Sequence, residues 1–130
     1  MINVAIDDQL GIVGFYSLSS FTLAVADLPP EQAKRLPPYD VIPAALIGRL
    51  AHDERVRGEG GGDALLADGV RRVIGAARSL AVFAIVVEAT DAKAATFYRD
   101  FGFVPFPSCP LRLFMPASEA AEAVSRALSR

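Results

Sequence analysis

The spacing of hydrophobic residues predicts a chain of alternating strands and helices. Apolar and polar residues alternate over Ile2–Ile6, and Ile12–Val25 is rich in aromatic and β-branched residues, so these segments predict an antiparallel pair of strands. Val41–Ala51 and Leu80–Val87 are almost uniformly apolar, which is typical of strands buried on both faces. Between them, Gly62–Arg78 carries its apolar residues at helical spacing. This order predicts a right-handed crossover between parallel strands.

The rest of the chain continues the alternation. Its patterns predict three more helices and two short strands, at Glu31–Leu36, Ala92–Phe101 and Ala117–Leu128 and at Phe103–Phe106 and Leu111–Met115. Asp91 can cap the helix that follows it, and Gly102 stands where a left-handed closing residue belongs. We therefore expect a single α+β domain over residues 1–130, in which a mixed sheet is flanked by helices.

Composition narrows the functional classes. The chain has 130 residues, of which 52% are hydrophobic and 22% charged, as in one compact domain with a sizeable core. Its net charge of −2 gives no overall attraction to nucleic acid or to an anionic membrane. One cysteine, Cys109, excludes an internal disulfide and, with the single histidine His52, a usual zinc site, so we expect no metal. The lack of a long apolar run and of a basic leader predicts a cytoplasmic protein without a membrane span.

A glycine-rich turn joins the strand Val41–Ala51 to the helix behind it. The turn runs from Arg57 to Gly62 with the sequence RGEGGG, and the helical pattern begins at once. The first N–H groups of a helix are unpaired, and glycines let an anion approach them closely, so the turn predicts a phosphate site. It lacks the Gly-Lys-Ser/Thr of nucleotide-binding loops and the spacing of the dinucleotide fingerprint. A flexible connection is the alternative interpretation of the glycines.

Several segments resemble the GNAT acetyltransferase superfamily. The turn Arg57–Gly62 fits the family's Arg/Gln-x-x-Gly-x-Gly/Ala loop, and Ala95–Phe103 is similar to its Phe-Tyr-x-x-Phe-Gly-Phe signature. Ile47–Ala51 and Leu111–Pro116 resemble a narrower branch, the TacT/AtaT-like toxins that acetylate aminoacyl-tRNA. The resemblance extends over Val13–Met115 and implies the GNAT acyl-CoA N-acyltransferase fold.

The resemblance also implies which residues bind the cosubstrate. In the family, the glycine loop binds the pyrophosphate of acetyl-CoA, and the end of the preceding strand pairs its backbone with the amide-bearing arm. The residues that match these two parts are Arg57, Gly58, Gly60, Gly61 and Gly62 in the loop and Leu50, Ala51 and His52 in the strand. An N–H group of Leu50 or Ala51 would also bind the oxyanion of the tetrahedral intermediate.

Tyr98 is the catalytic candidate, because it matches the tyrosine that serves the family as general acid. A phenol keeps its proton at neutral pH and can donate it to a leaving thiolate. Packing beside Phe97 and Phe101 is the alternative role for this side chain. His52 could accept a proton from the substrate or simply be a solvated turn residue, and we assign it no catalytic role.

These features predict an acetyl-CoA-dependent N-acetyltransferase that acetylates the amine of an aminoacyl-tRNA as the toxin of a toxin–antitoxin pair. The implied partners are acetyl-CoA, aminoacyl-tRNA and a ribbon-helix-helix antitoxin. A second copy of the chain, in a homodimer, is a further candidate partner. One alternative, favoured by the weak basicity, is a GNAT enzyme for a small amine or a protein N-terminus. The other is an inactive CoA-binding remnant, because Glu59 would oppose a pyrophosphate. Family members begin with a strand and one or two helices, which we expect to be missing here. Those helices help to enclose the acceptor side, so a longer chain or another subunit would have to enclose it.

Overall fold

The computed structural model describes residues 2–7, 11–34, 36, 38–52, 61–80 and 82–129. In chain order the regular elements are β1 (Ile2–Asp7), β2 (Gly11–Ala24), α1 (Pro30–Ala33), β3 (Val41–His52), α2 (Gly61–Leu80), β4 (Ala84–Glu88), α3 (Ala92–Phe101), β5 (Val104–Phe106), β6 (Cys109–Pro116) and α4 (Ala120–Leu128). Short 3-10 turns at Val25–Asp27 and Ala117–Glu119 precede α1 and α4. Within these ranges, no helix combines the length and the apolar character that crossing a membrane requires.

The strands form one mixed sheet in the order β1-β2-β3-β4-β6-β5. β3 and β4 are parallel, and each of the other neighbouring pairs is antiparallel. α2 makes the predicted crossover between the two parallel strands. The sheet therefore consists of two antiparallel halves, β1–β2–β3 and β4–β6–β5, joined at β3 and β4. The α+β class and the mixed sheet expected from the sequence are confirmed.

Helices α2, α3 and α4 cover one face of the sheet. They share a single buried cluster with residues of β2, β3, β4 and β6, whose largest fully buried side chains are Tyr16, Ile47, Leu66, Val70, Ile85, Phe101, Leu113 and Met115. Burying one such side chain stabilises the fold by about 1.5–3 kcal/mol relative to leaving it in water. This cluster fixes the three helices on the sheet, and the candidate site lies at its edge.

The opposite face carries a second, smaller cluster. Its fully buried members with the largest side chains are Leu23, Ile42, Val86 and Phe114. Leu28, from the connection between β2 and β3, folds back onto it. At the start of β3, however, Val41 is 53% exposed. The prediction that this strand is buried on both faces is therefore wrong at its beginning, because the helices do not extend that far.

Several predicted element ends are shifted. The strand expected from Leu80 begins at Ala84, because α2 continues to Leu80 and pairing beside β3 starts only with Ala44 and Ala84. The short helix expected to reach Leu36 ends at Ala33. Leu36 precedes Pro37 in the sequence, and helical geometry is disfavoured for a residue before proline. The last helix is split into a 3-10 turn and α4.

Helix α3 has the predicted caps. The Asp91 carboxylate accepts a hydrogen bond of 2.8 Å from the N–H of Ala94. Gly102 follows the helix with φ of 129°, a conformation that side chains rarely tolerate, and its N–H donates to the carbonyl of Tyr98. These caps fix where α3 ends and therefore where Tyr98 lies.

Gly75 in α2 offers a test of this packing. A Cβ added there would meet nothing within 4 Å, so Gly75→Ala should raise the free energy of unfolding by about 0.5–1 kcal/mol through helix propensity alone. Urea denaturation would measure the change. Gly102→Ala is the control and should be destabilising, because of its positive φ and a Met115 Cε only 3.2 Å from the new Cβ. A loss of stability in Gly75→Ala would contradict the exposed position of this residue.

Candidate active site

The parallel ladder between β3 and β4 ends in the middle of β3. Ala44 to Ile47 pair with Ala84 to Val87, and β3 then continues to His52 while β4 ends at Glu88. Among the described residues, Gly48–His52 pair with β2 alone, so the edge that faces β4 is open. Such an edge offers backbone N–H and C=O groups to an extended ligand.

A bulge explains why the strands separate there. Gly48 pairs with Ser17 and Ala51 with Phe15, so three steps along β3 correspond to two steps along β2. β3 therefore has one extra residue opposite Tyr16. A bulge bends its strand and increases the local twist, which turns the end of β3 away from β4. The predicted arm-binding residues Leu50, Ala51 and His52 all lie on the backbone beyond Ile47, at the open edge.

The predicted phosphate turn is described only at its end. Gly61 and Gly62 form the first turn of α2, where helical N–H groups lack partners within the helix. Arg57, Gly58 and Gly60 lie outside the described residues, as does Glu59. The structure thus places the end of β3 and the start of α2, which the predicted turn connects.

Tyr98 is buried on the helical side of the split. It belongs to the same cluster as Ile47 and Val87, which are the last paired residues of the ladder. Its ring centroid lies 5.4 Å from that of Phe97 and 5.9 Å from that of Phe103. Burial raises the pKa of Tyr98 to about 12, so the phenol is protonated at neutral pH. The packing role predicted as an alternative is present, and a protonated phenol in this cluster keeps a proton that it can donate.

An ion pair that the sequence did not reveal lies at the other side of the split. Glu88 ends β4 and faces Arg112 across the β4–β6 ladder, with 3.3 Å between Arg112 Nη2 and Glu88 Oε2. The guanidinium also lies 5.4 Å from the ring centroid of Phe21, which packs against the second cluster. The pair is therefore on the face opposite Tyr98. The signal in the sequence is a single acidic residue after an apolar strand, which alone is too common to be diagnostic.

A second polar contact missed by the sequence analysis connects β2 with α2. The Tyr16 hydroxyl donates a hydrogen bond to the Asp68 carboxylate, which also accepts one of 3.2 Å from Arg72 Nε. Burial, with help from the Asp68 carboxylate, raises the pKa of Tyr16 to about 12. The Tyr16 hydrogen bond, and then Arg72, lower the pKa of Asp68. Because 52 residues separate Tyr16 from Asp68, no local pattern could predict their contact.

Sequence comparison finds relatives over most of the chain. The chain is 34% identical over 117 residues to a Sinorhizobium fredii protein named "Probable toxin TacT", which covers 85% of this chain and 65% of that protein. It is 38% identical over 109 residues to a Mycobacterium tuberculosis protein named "tRNA-acetylating toxin", which covers 84% of this chain and 64% of that protein. The chain thus spans just under two thirds of the length of these curated relatives. No family model matches it.

Structure comparison finds the same group of proteins. AtaT complexed with acetyl-methionyl-tRNAfMet superposes with a TM-score of 0.79 at 30% identity, over 89% of this chain and 69% of that one. A mutant of AtaT bound to the C-terminus of the antitoxin AtaR and acetyl-CoA gives a TM-score of 0.70 at 27% identity, over 85% of this chain and 62% of that one. The chain belongs to the GNAT superfamily, in the branch that contains TacT and AtaT.

The buried phenol of Tyr98 should make stability fall above pH 10. Its pKa is 10.0 in an ordinary environment and about 12 in the fold, so the unfolded chain loses this proton first. The stabilisation by the neutral phenol is complete below pH 10 and is lost as the pH rises towards 12, by about 1.4 kcal/mol per pH unit. Tyr98→Phe should remove this contribution and leave that of Tyr16, whose pKa is also raised to about 12, as urea denaturation at pH 8, 10 and 11 would measure.

Tyr39→Phe is the matched control for this titration, because Tyr39 is 63% exposed and removal of its hydroxyl leaves the buried cluster intact. The control should lose stability with pH as the unmodified protein does. Equal pH dependence in Tyr98→Phe and Tyr39→Phe would mean that the Tyr98 phenol ionises in the fold as readily as in water.

Proposed function

We propose that the protein is an acetyl-CoA-dependent N-acetyltransferase that acetylates the amine of an aminoacyl-tRNA, as the toxin of a toxin–antitoxin pair. The observation that carries this proposal is the split between β3 and β4, which leaves the edge of Gly48–His52 open. The Mycobacterium tuberculosis relative, named as a tRNA-acetylating toxin, and the AtaT complex with acetyl-methionyl-tRNA support the acceptor. Both substrates are cytoplasmic, and so we assign the protein to the cytoplasm.

Acetyl-CoA would bind in two places at once. Its amide-bearing arm would run along the open edge and pair with the backbone of Leu50, Ala51 and His52, as an added strand does. Its pyrophosphate would accept hydrogen bonds from N–H groups of the predicted turn and of Gly61 and Gly62, at the positive end of the α2 dipole. The thioester would then lie in the split, near the N–H of Leu50 or Ala51 that we assign to the oxyanion.

The ammonium group of the acceptor first loses a proton to water. The neutral amine then attacks the thioester carbonyl, and a C–N bond forms. The tetrahedral intermediate collapses with cleavage of the C–S bond, and the products are an N-acetyl amide and CoA thiol. Tyr98 would donate its phenolic proton to the sulfur while the proton lost by the nitrogen replaces it. With a pKa of about 12 against about 8.5 for an ordinary thiol, the phenol does not give up its proton unless it is replaced, so Tyr98 relays a proton.

The acceptor would approach from the face opposite the helices. Glu88 lies there at the end of β4, with its side chain 52% exposed, and offers a negative charge to a cationic amine. Arg112 beside it would supply a cation to the phosphates of a tRNA 3′ end. An antitoxin is the proposed protein partner, because a solved structure shows a mutant of AtaT bound to the C-terminus of the antitoxin AtaR. The net charge of −2 favours the competing hypothesis of a small amine or a protein N-terminus as acceptor.

The first test measures acetyl-CoA binding by calorimetry and then transfer of labelled acetyl to charged tRNA and to a panel of small amines. Tyr98→Phe should retain binding and lower turnover by about 10²-fold, because the phenol acts only when the thiolate leaves. Tyr39→Phe removes an exposed hydroxyl and should behave like the unmodified protein. Acetylation of small amines but not of charged tRNA would mean that the acceptor is a small amine. Failure to bind acetyl-CoA would overturn the whole proposal. Full turnover in Tyr98→Phe would reduce Tyr98 to a packing residue.

A second test addresses the acceptor side. Glu88→Gln keeps the size of the side chain and removes the charge that would attract the ammonium group, so it should weaken binding of charged tRNA about three- to tenfold relative to uncharged tRNA. The comparison with uncharged tRNA cancels any effect of leaving Arg112 without its ion-pair partner. Glu122→Gln removes an equivalent exposed ion pair on α4 and should leave the ratio unchanged. An unchanged ratio in Glu88→Gln would place the amine elsewhere.

A further inference from the structure

Helix α2 approaches the sheet closely at Gly69. A Cβ at this position would lie 3.3 Å from Ile47 Cδ1 and 3.3 Å from Tyr16 Cε2, so the helix backbone rests directly on these two side chains. The adjacent residue, Asp68, accepts the hydrogen bond from the Tyr16 hydroxyl. Packing and a hydrogen bond thus hold α2 at one point on the sheet.

This contact point lies between the two halves of the proposed acetyl-CoA site. Ile47 is the last residue of β3 that pairs with β4, and Tyr16 lies opposite the bulge that opens the edge. Along α2, Asp68 is roughly 10 Å from the helix start at Gly61, given a rise of about 1.5 Å per residue. The position of Tyr16 therefore couples the open edge of β3 to the start of α2.

We propose that Tyr16 is a positioning residue: through Asp68 it fixes the spacing between the open edge at Gly48–His52 and the first turn of α2, so that one acetyl-CoA molecule can occupy both. The inference rests on the proposed function. A ligand that contacts two places binds more tightly when their separation matches its own length, because the second contact is then intramolecular. A change of spacing removes that gain and leaves each place able to bind its own part of the ligand.

The hydroxyl, and not only the ring, is required for this role. The ring of Tyr16 is almost fully buried in the cluster beneath α2, and Phe would keep that packing. The hydroxyl contacts a carboxylate whose side chain is half exposed and which also binds Arg72. A hydrogen bond to an ionised carboxylate is stronger than one between neutral groups, so it resists a shift of the helix along the sheet.

The test compares Tyr16→Phe with the unmodified protein for three ligands. Calorimetry measures the binding of acetyl-CoA. NMR titration at millimolar concentration measures the binding of its two halves, S-acetylpantetheine and 3′-phosphoadenosine 5′-diphosphate. We expect the Kd of acetyl-CoA to rise about tenfold, while the Kd of each half-ligand stays within twofold. Circular dichroism would confirm that the variant is folded.

Gly69→Ala is the second variant, because it keeps the hydroxyl and the carboxylate but requires the contact between α2 and the side chains of Ile47 and Tyr16 to shift by a few tenths of an ångström. It should likewise raise the Kd of acetyl-CoA while the Kd of each half-ligand stays within twofold. Tyr39→Phe, the matched control, should change none of the three affinities.

Each other outcome overturns the proposal. An equal loss for acetyl-CoA and both half-ligands would show general damage to the fold, and unchanged acetyl-CoA binding in Tyr16→Phe would show a packing role only. If the unmodified protein binds none of the three ligands, the proposed function fails, and this inference fails with it.

Discussion

The parallel ladder between β3 and β4 runs from Ala44 and Ala84 to Ile47 and Val87 and then ends, and the candidate site depends on that ending. Backbone N–H and C=O groups inside a protein need hydrogen-bond partners, so an open strand edge in the middle of a sheet must be satisfied by water or by a ligand. A bulge opposite Tyr16 turns β3 aside, and a helix dipole and a buried phenol lie close by. Strand pairing therefore defines the opening, and the helix dipole and the phenol supply its chemical groups.

The part of this site whose side chains the structure describes has no charged residue in its interior. Among the described residues every fully buried side chain is hydrophobic or a tyrosine, while Glu88 and Arg112 remain at the rim. Charge that develops on a carbonyl oxygen or a sulfur would therefore be stabilised by backbone N–H groups and a phenol. Neutral donors of this kind require no counter-ion in the core and avoid the large desolvation cost of a buried ion.

Local signals in the sequence predicted the parts of the site that lie within one element or one turn. The glycine run before α2, the aromatic pair with Tyr98 and the caps of α3 are all read over a few residues, and the resemblance to GNAT proteins gave them roles. Contacts between distant residues could not be predicted in this way. The bulge in β3 is visible only in its register with β2, and Tyr16 meets Asp68 only after α2 packs on the sheet. Leu80 was assigned to a strand because apolar periodicity cannot separate the end of a buried helix from the start of a buried strand.

The division of the sheet also has a consequence for how the chain reaches its native state. Each ladder within β1–β2–β3 and within β4–β6–β5 begins with a pair of residues at most 24 positions apart, as Glu88 and Arg112 are. Every pair in the ladder between β3 and β4 is 40 positions apart, as Ala44 and Ala84 are, because α2 lies between them. Because local contacts form faster than distant ones, each antiparallel half should assemble first and the parallel ladder last. The split is then the final part of the molecule to take shape, so incompletely folded chains would carry no assembled active site.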